Sequence, residues 1–278
     1  RYAPEIVSSF PTNYDLYIEP FFGSGAILGH LRPPKAIAVD AHQPLIDMWK
    51  LVRDKPSELA DFYEEKWSAY STSSEAKAAT YSEVVNSYNN NPNPLDFLFI
   101  SRTCYGGVLR YRKADGFLST PVGPHRAIAP KTFAQRLKLW HQIVRNVEFV
   151  CGDFSEIEDL VTPKTLLYCD PPYVDSQKIL YGAQDFDISK LYSFIARVKK
   201  IGASVALSID GSKKSGQRMI ELSYADDVFA EELMIELGGS MLKRFQLSDR
   251  DTSEHKVQDR LLLTYAAASL RDQLGLEL

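Results

Sequence analysis

The chain is short of cysteine, of long apolar runs and of positive charge, and each shortage excludes something. Its 278 residues include three cysteines, Cys104, Cys151 and Cys169, with no C-x-x-C spacing among them. An odd, scattered set builds neither a disulfide framework nor a thiolate zinc site, so the sequence reads as a reduced, cytoplasmic protein without a structural metal. His30, His42, His125, His141 and His255 show no metal-ligand spacing and are expected to cap, pack or face solvent. No stretch approaches the ~18 consecutive apolar residues of a membrane span, and the first residues show no charged-then-apolar signal pattern. Repeats and low-complexity tracts are also missing. The formal charge is −4, which taken alone argues against a nucleic-acid partner.

What is present qualifies that last point. Apolar residues make up 45% of the chain, enough for a real core, and the length allows one large domain or two modest ones. The charge is uneven: residues 86–148 hold nine Lys and Arg against three acids, a local +6 that leaves −10 for the remainder. A basic segment of this kind fits either a solvated face or a phosphate-binding surface.

The residue pattern at the start predicts strand, loop, helix and strand: Tyr14–Ile18, then Glu19-Pro20-Phe21-Phe22-Gly23-Ser24-Gly25, a short helix over Ala26–Leu31, and Ala36–Asp40. Leu45, Ile46, Trp49 and Val52 continue at helical spacing to about Arg53. This is the opening of an α/β, doubly wound sheet. Residues 55–89 read as polar helix with breaks at 71–74 and 86–94, residues 102–130 have no clear period, and 131–145 reads as a basic amphipathic helix. Strand and helix then alternate again through Val147–Val150, Thr165–Cys169, Ile188–Lys200 and Ser204–Ile209. Two late β-like runs, Met241–Leu247 and Arg260–Tyr265, flank the polar stretch Ser248–Gln258 and predict an antiparallel pair closing one edge. The expected division is a catalytic domain over 1–54 and 141–278 interrupted by an inserted domain over 55–140.

Two places carry chemistry. The glycine loop after the first strand lets the backbone turn sharply and approach a ligand. Leu28 stands where a dinucleotide fingerprint needs its third glycine, which disfavours a pyrophosphate site. Asp40, ending the second strand, is placed to bind ribose hydroxyls, although the same features fit a tight turn and a helix cap. The stronger signal is Tyr168-Cys169-Asp170-Pro171-Pro172-Tyr173, at the carboxyl end of an apolar strand. Consecutive prolines lack N–H groups, so this rigid segment offers acceptors only, and Tyr173 adds an aromatic face. Such a set suits a planar ring bearing an amino group, as on a nucleobase.

Together, Phe21-Phe22-Gly23-Ser24-Gly25 and Asp170-Pro171-Pro172-Tyr173 resemble the DNA N6-adenine methyltransferases of the Dam type, in which a recognition region lies between the two motifs. The likeness extends to Glu19-Pro20-Phe21, to Gly152-Asp153-Phe154, to the stretch from Ser101 to Tyr111, and to Lys256-Val257 with Leu261-Leu262. The resemblance implies a Rossmann-like methyltransferase sheet with an inserted, mainly helical DNA-recognition domain, and S-adenosylmethionine as cofactor. By position it implies that Pro20, Phe21, Gly23 and Gly25 shape the cofactor pocket and that Asp40 takes the ribose hydroxyls. Asp153 would accept from the cofactor's adenine amino group with Phe154 packed nearby. Asp170 would border the cofactor and, with the Pro171 carbonyl and the rigid Pro172, receive the N6 amino group of a flipped adenine, while Tyr173 stacks on it. Arg102, Tyr105, Arg110, Arg112, Lys113 and Arg126 would meet DNA, with Arg110 the first choice for a base edge or adjacent phosphate.

Double-stranded DNA is thus the expected partner, a cognate restriction endonuclease a further one, and the protein is expected to act as a monomer. Two departures stand out. The family's N-terminal glycine–glycine–lysine motif is missing before Arg1, which suggests a sequence that starts late. Gly106 stands where many relatives have asparagine, so the GATC target of well-known members is not carried over. A methyltransferase for RNA or protein glutamine would carry Asn-Pro-Pro-Tyr and no large insertion, and a DNA-binding protein with a degenerate domain would not need Asp40, Asp153 and Asp170 together.

Overall fold

A computed structural model describes residues 2–172, 186–210, 212–213, 218–219, 227–236 and 258–267. The elements run in the order α1 (Ala3–Ser8), β1 (Leu16–Glu19), α2 (Ala26–Leu31), β2 (Ala36–Asp40), α3 (Gln43–Asp54), α4 (Pro56–Tyr70), α5 (Ser74–Asn90), α6 (Pro94–Thr103), α7 (Pro130–Val144), β3 (Val147–Cys151), β4 (Thr165–Cys169), α8 (Ile188–Ile201), β5 (Ser204–Asp210), the short β6 (Ser212–Lys213) and β7 (Arg218–Met219), β8 (Glu231–Glu236) and β9 (Gln258–Leu263). Seven strands order as β3-β2-β1-β4-β5-β9-β8, while β6 and β7 form a separate antiparallel pair. Strand β1 pairs in parallel with β2 and β4, and β4 with β5, whereas β9 runs antiparallel to both β5 and β8. This is the doubly wound, Rossmann-like arrangement with an antiparallel edge.

The chain falls into two compact units: Arg1–Val39 with Asp153–Tyr173 and Asp187–Leu278, and Asp40–Gly152 with Val174–Phe186. In the first, the central strands are apolar because both faces are covered. All of Leu16–Glu19 and Thr165–Cys169 is buried, the near-continuous pattern of parallel strands. Helix α8 packs on β5 and on the turn Phe154–Leu160 and buries Leu191, Phe194, Ile195 and Val198; the Asp187 carboxylate caps it by accepting the Ser189 N–H at 2.9 Å, and it ends where the Gly202 and Ala203 N–H groups return to Lys199 and Val198.

The second unit is mainly helical. Each helix start is marked by a proline, a polar cap or both: His42 accepts the Leu45 N–H, Ser73 the Ala76 N–H and Asn93 the Asp96 N–H. Aromatic rings fill the interior, with Tyr63 stacked on Phe133 at 4.1 Å and Phe99 edge-on to Tyr70 at 5.5 Å. Between α6 and α7 the backbone forms a small hairpin, with Tyr111 bridged to Leu118 and Cys104 to Val122.

Two expectations on the elements change. The break expected at 86–94 begins later, because α5 runs on to Asn90. The Asn89 side chain acts there as a one-residue strand: its amide donates to the Leu118 carbonyl at 3.1 Å and accepts the Leu118 N–H at 2.7 Å. The antiparallel edge exists, but β9 takes β8, over Glu231–Glu236, as its partner. Three of that strand's six residues are acids, so it has no apolar pattern of its own. Glu232 receives both Arg260 donors at 2.7 Å across the pair. Met241–Leu247, the partner expected from sequence, lies outside the described residues.

Candidate functional site

In an open α/β sheet, ligands bind beyond the carboxyl ends of the strands where the strand order reverses. That reversal falls between β1 and β4, whose register sets Ile18 beside Leu167. The next residues of the two strands are Glu19-Pro20 and Tyr168-Cys169-Asp170, so the two sequence motifs leave the sheet at adjacent points.

The loop after β1 is held by the Phe22 N–H on the Val39 carbonyl at 2.9 Å and the Gly25 N–H on the Phe22 carbonyl at 2.8 Å. Gly23 and Gly25 take φ of 48° and 65°, which side chains rarely adopt. They differ in surroundings. A Cβ on Gly25 would sit 2.6 Å from the Phe22 ring, whereas one on Gly23 would meet nothing within 4 Å. Gly25 is therefore needed for packing, and Gly23 borders open space. Phe21 lies 5.4 Å from Phe154, which is itself edge-on to Phe194 at 5.7 Å, so an aromatic wall is fixed from below.

Glu19, for which the family resemblance implies no role, has one in the structure. Its carboxyl is buried, takes the Tyr17 hydroxyl at 2.9 Å and the Leu28 N–H at 3.3 Å, and is pushed up to about 8 chiefly by burial, with the nearby Asp170 charge adding to the shift. An acid closing an otherwise apolar strand was the available signal. Because a first-turn N–H of α2 is spent on Glu19, and Leu28 is fully buried, the helix start is not laid out for a pyrophosphate.

At the end of β4, Asp170 is exposed, Pro171 buried and Pro172 half-buried; Tyr173 lies outside the described residues. The Cys169 thiol is fully buried and held well above its ordinary range by that burial, which argues against a thiolate nucleophile. Asp153 caps the 3-10 turn Phe154–Leu160: its Oδ1 accepts the Ser155 N–H at 2.9 Å, and its own N–H donates to Glu156 at 3.2 Å. In the second unit, Asp40 Oδ1 accepts the His42 N–H at 2.9 Å and the Asp40 carbonyl accepts the Gly152 N–H at 3.2 Å.

The basic residues singled out from sequence all lie between the last turn of α6 and the start of α7. Arg102 and Tyr105 are exposed, and Arg110 is half-buried with its backbone tied to Thr120 and Ser119. Lys113 and Arg126 are exposed. The His125 ring lies 3.1 Å from the Arg102 carbonyl, which brings the segment carrying Arg126 against the end of α6. Arg112 is already engaged: it forks onto Asp115 at 2.6 and 3.1 Å and lies over the Phe117 ring at 4.2 Å. No group of three or more His, Cys, Asp or Glu able to hold a metal occurs among the described residues, nor does any helix there have the length and apolarity to cross a membrane.

Residues 1–238 match the family model for D12 class N6 adenine-specific DNA methyltransferases. The chain is 31% identical over 216 residues to the Type II methyltransferase M.MjaIII of Methanocaldococcus jannaschii, covering 70% of this chain and 74% of that protein. It is 24% identical over 280 residues to a DNA adenine methylase of Haemophilus influenzae, covering 96% and 90%. A DNA N-6-adenine-methyltransferase of Escherichia phage P1 is 26% identical over 222 residues, which is 77% of this chain and 28% of the phage protein.

Proposed function

The chain belongs to the D12 class of N6 adenine-specific DNA methyltransferases, and from that premise we propose that it transfers a methyl group from S-adenosylmethionine to an adenine flipped out of duplex DNA, at the carboxyl ends of β1 and β4. The observation that carries this reading is the adjacency of the glycine turn and the Asp-Pro-Pro segment at the strand-order reversal.

Within the first unit the residues present suit a nucleoside-bearing cofactor: open space beside Gly23, the Phe21–Phe154 wall, and a carboxylate at Asp153 for an amino donor; the family resemblance adds Asp40 for the ribose hydroxyls. Pro20 fixes the chain's exit from β1 into that turn. Bound S-adenosylmethionine supplies an electrophilic methyl group on a sulfonium. The adenine N6 nitrogen is a poor nucleophile because its lone pair is delocalised into the ring. The Asp170 carboxylate and the Pro171 carbonyl, held rigid by Pro172, accept hydrogen bonds from its two N–H groups and favour a tetrahedral nitrogen with the lone pair directed outward; one N6 proton then departs past Asp170 to solvent, leaving neutral N6-methyladenine and S-adenosylhomocysteine. The contribution is one of position and electrostatics rather than covalent catalysis. Tyr173 provides the stacking face that offsets part of the few kcal/mol spent on unstacking the base. Arg102, Tyr105, Arg110, Arg112, Lys113 and Arg126 would hold the duplex, in the inserted segment 55–140.

Tritium transfer from labelled S-adenosylmethionine to unmethylated duplex DNA, with the product nucleoside identified, tests the reading. N6-methyladenine is expected from the wild type, and a loss of about 10³-fold or more from Asp170→Ala with an unchanged melting temperature. An Asp170→Ala enzyme within tenfold of wild type would overturn the assignment.

A further inference from the structure

His42 stands two residues beyond Asp40, and its backbone N–H and two ring nitrogens make three separate connections. Its backbone N–H orients the Asp40 carboxylate at 2.9 Å. Its ring Nδ1 accepts the Leu45 N–H at 3.2 Å and so caps α3. An accepting Nδ1 carries no proton, which assigns the proton of the neutral ring to Nε2. That nitrogen lies 2.8 Å from the Tyr111 hydroxyl. Burial pushes His42 down to about 4, which keeps the ring neutral at ordinary pH. Tyr88 closes the cluster, with its hydroxyl 3.0 Å from that of Tyr111 and 3.4 Å from His42 Nε2, and Phe97 packs 4.9 Å from the imidazole.

Tyr111 is the residue between Arg110 and Arg112. Along extended backbone, neighbouring side chains face opposite ways, so seating Tyr111 on His42 turns both arginines to the other face of the strand. The strand does not move alone. Tyr111 is bridged to Leu118, the Ser119 N–H binds the Arg110 carbonyl at 2.9 Å, and the Arg112 N–H binds the Phe117 carbonyl at 2.9 Å. A displacement of Arg110 or Arg112 therefore carries the Tyr111 hydroxyl with it, and the bond at the far end of that hydroxyl is to the residue that sets Asp40.

We propose that the His42–Tyr111 pair couples the two binding functions: duplex DNA engaged by the Arg110–Arg112 hairpin restrains Tyr111 in its place on His42 and thereby raises the affinity for the cofactor at Asp40. This rests on the reading above, in which Asp40 takes the ribose hydroxyls and the hairpin meets DNA. Coupling of this kind is reciprocal, so bound cofactor tightens DNA by the same factor. His42 and Tyr111 are positioning residues; neither touches the reacting atoms.

Titration of S-adenosylhomocysteine, with and without a saturating mixed-sequence unmethylated duplex of several hundred base pairs, tests the proposal. The wild-type Kd is expected to fall by about fivefold or more when DNA is present. Tyr111→Phe removes only the hydroxyl, and His42→Asn keeps an acceptor for the Leu45 N–H while losing the reach to Tyr111. Each should keep its Kd without DNA within about twofold of wild type and lose most of the enhancement, and the double variant should lose no more than either single one. A wild-type Kd indifferent to DNA, full enhancement in Tyr111→Phe, or losses that add in the double variant would overturn the link. A wild-type chain that binds neither S-adenosylhomocysteine nor DNA would instead overturn the proposed function.

Discussion

A carboxyl group enclosed at the end of a strand is costly to ionise, and Glu19 shows how the chain handles that cost: the group keeps its proton. Its folded pKa is raised from 4.5 to about 8, so the folded protein retains a proton that the unfolded chain releases between those values. Glu19 therefore contributes stability that is complete below the ordinary carboxylate range and is lost as the pH rises toward about 8, with a slope of about 1.4 kcal/mol per pH unit from this one group. Glu19→Gln preserves an acceptor for Tyr17 and Leu28 without the titration. Chemical denaturation at several pH values should show its stability falling less steeply than wild type between pH 5 and 8, and identical slopes would refute the assignment. The two loop glycines separate packing from binding in the same way. Gly23→Ala meets only backbone strain of about 1–2 kcal/mol, but fills the open space and should raise the Kd for S-adenosylhomocysteine tenfold or more. Gly25→Ala adds a clash with Phe22 to the strain and should lower the melting temperature further than Gly23→Ala. Equal melting temperatures would contradict that distinction. The motif residues Gly23, Gly25 and Asp170 were legible because their types are chemically restrictive. Glu19's proton was not, because it depends on Tyr17 and Leu28 closing around it.

Elements with one strong local signal read correctly, and those stabilised from a distance did not. Ala26–Leu31, Ala36–Asp40 and Thr165–Cys169 have the bounds their patterns predict, since each is an apolar run stopped by glycine, proline or an acid. Strand β8 is half acidic and gains its place through β9 and the Glu232–Arg260 pair, a partner 28 residues away. The last turn of α5 likewise survives in an asparagine-rich stretch because Asn89 is bound to Leu118. Removing that side chain should be informative at the level of the hairpin. Asn89→Ala leaves both backbone groups of the buried Leu118 without their partner, a loss of about 2–3 kcal/mol. Hydrogen exchange should accelerate at residues 110–119 while the amides of β4 remain protected, and uniform acceleration across both would show the hairpin is not an independently held element.

At the scale of the whole molecule, the −4 net charge conceals a +6 segment that includes every basic residue expected to meet DNA. Phosphate binding releases condensed counterions, so affinity should fall steeply with salt, and a flat dependence would remove the segment's proposed role. What composition does not tell is which cations are available. Arg112 is held on Asp115 and over Phe117, so much of its charge is answered within the hairpin, whereas Lys113 next to it is exposed. Asp115→Asn keeps the oxygen that accepts the Phe117 N–H at 3.1 Å, and with it the turn, but removes the charge that competes with phosphate for Arg112. Affinity for mixed-sequence duplex at low salt should rise about threefold to tenfold, and the log–log salt slope should steepen by up to ~0.9, the increment for one added phosphate contact. The same substitution combined with Arg112→Ala should return both quantities to those of Arg112→Ala alone. If Asp115→Asn leaves slope and affinity unchanged, Arg112 makes no phosphate contact, and those contacts belong to Arg102, Arg110, Lys113 and Arg126.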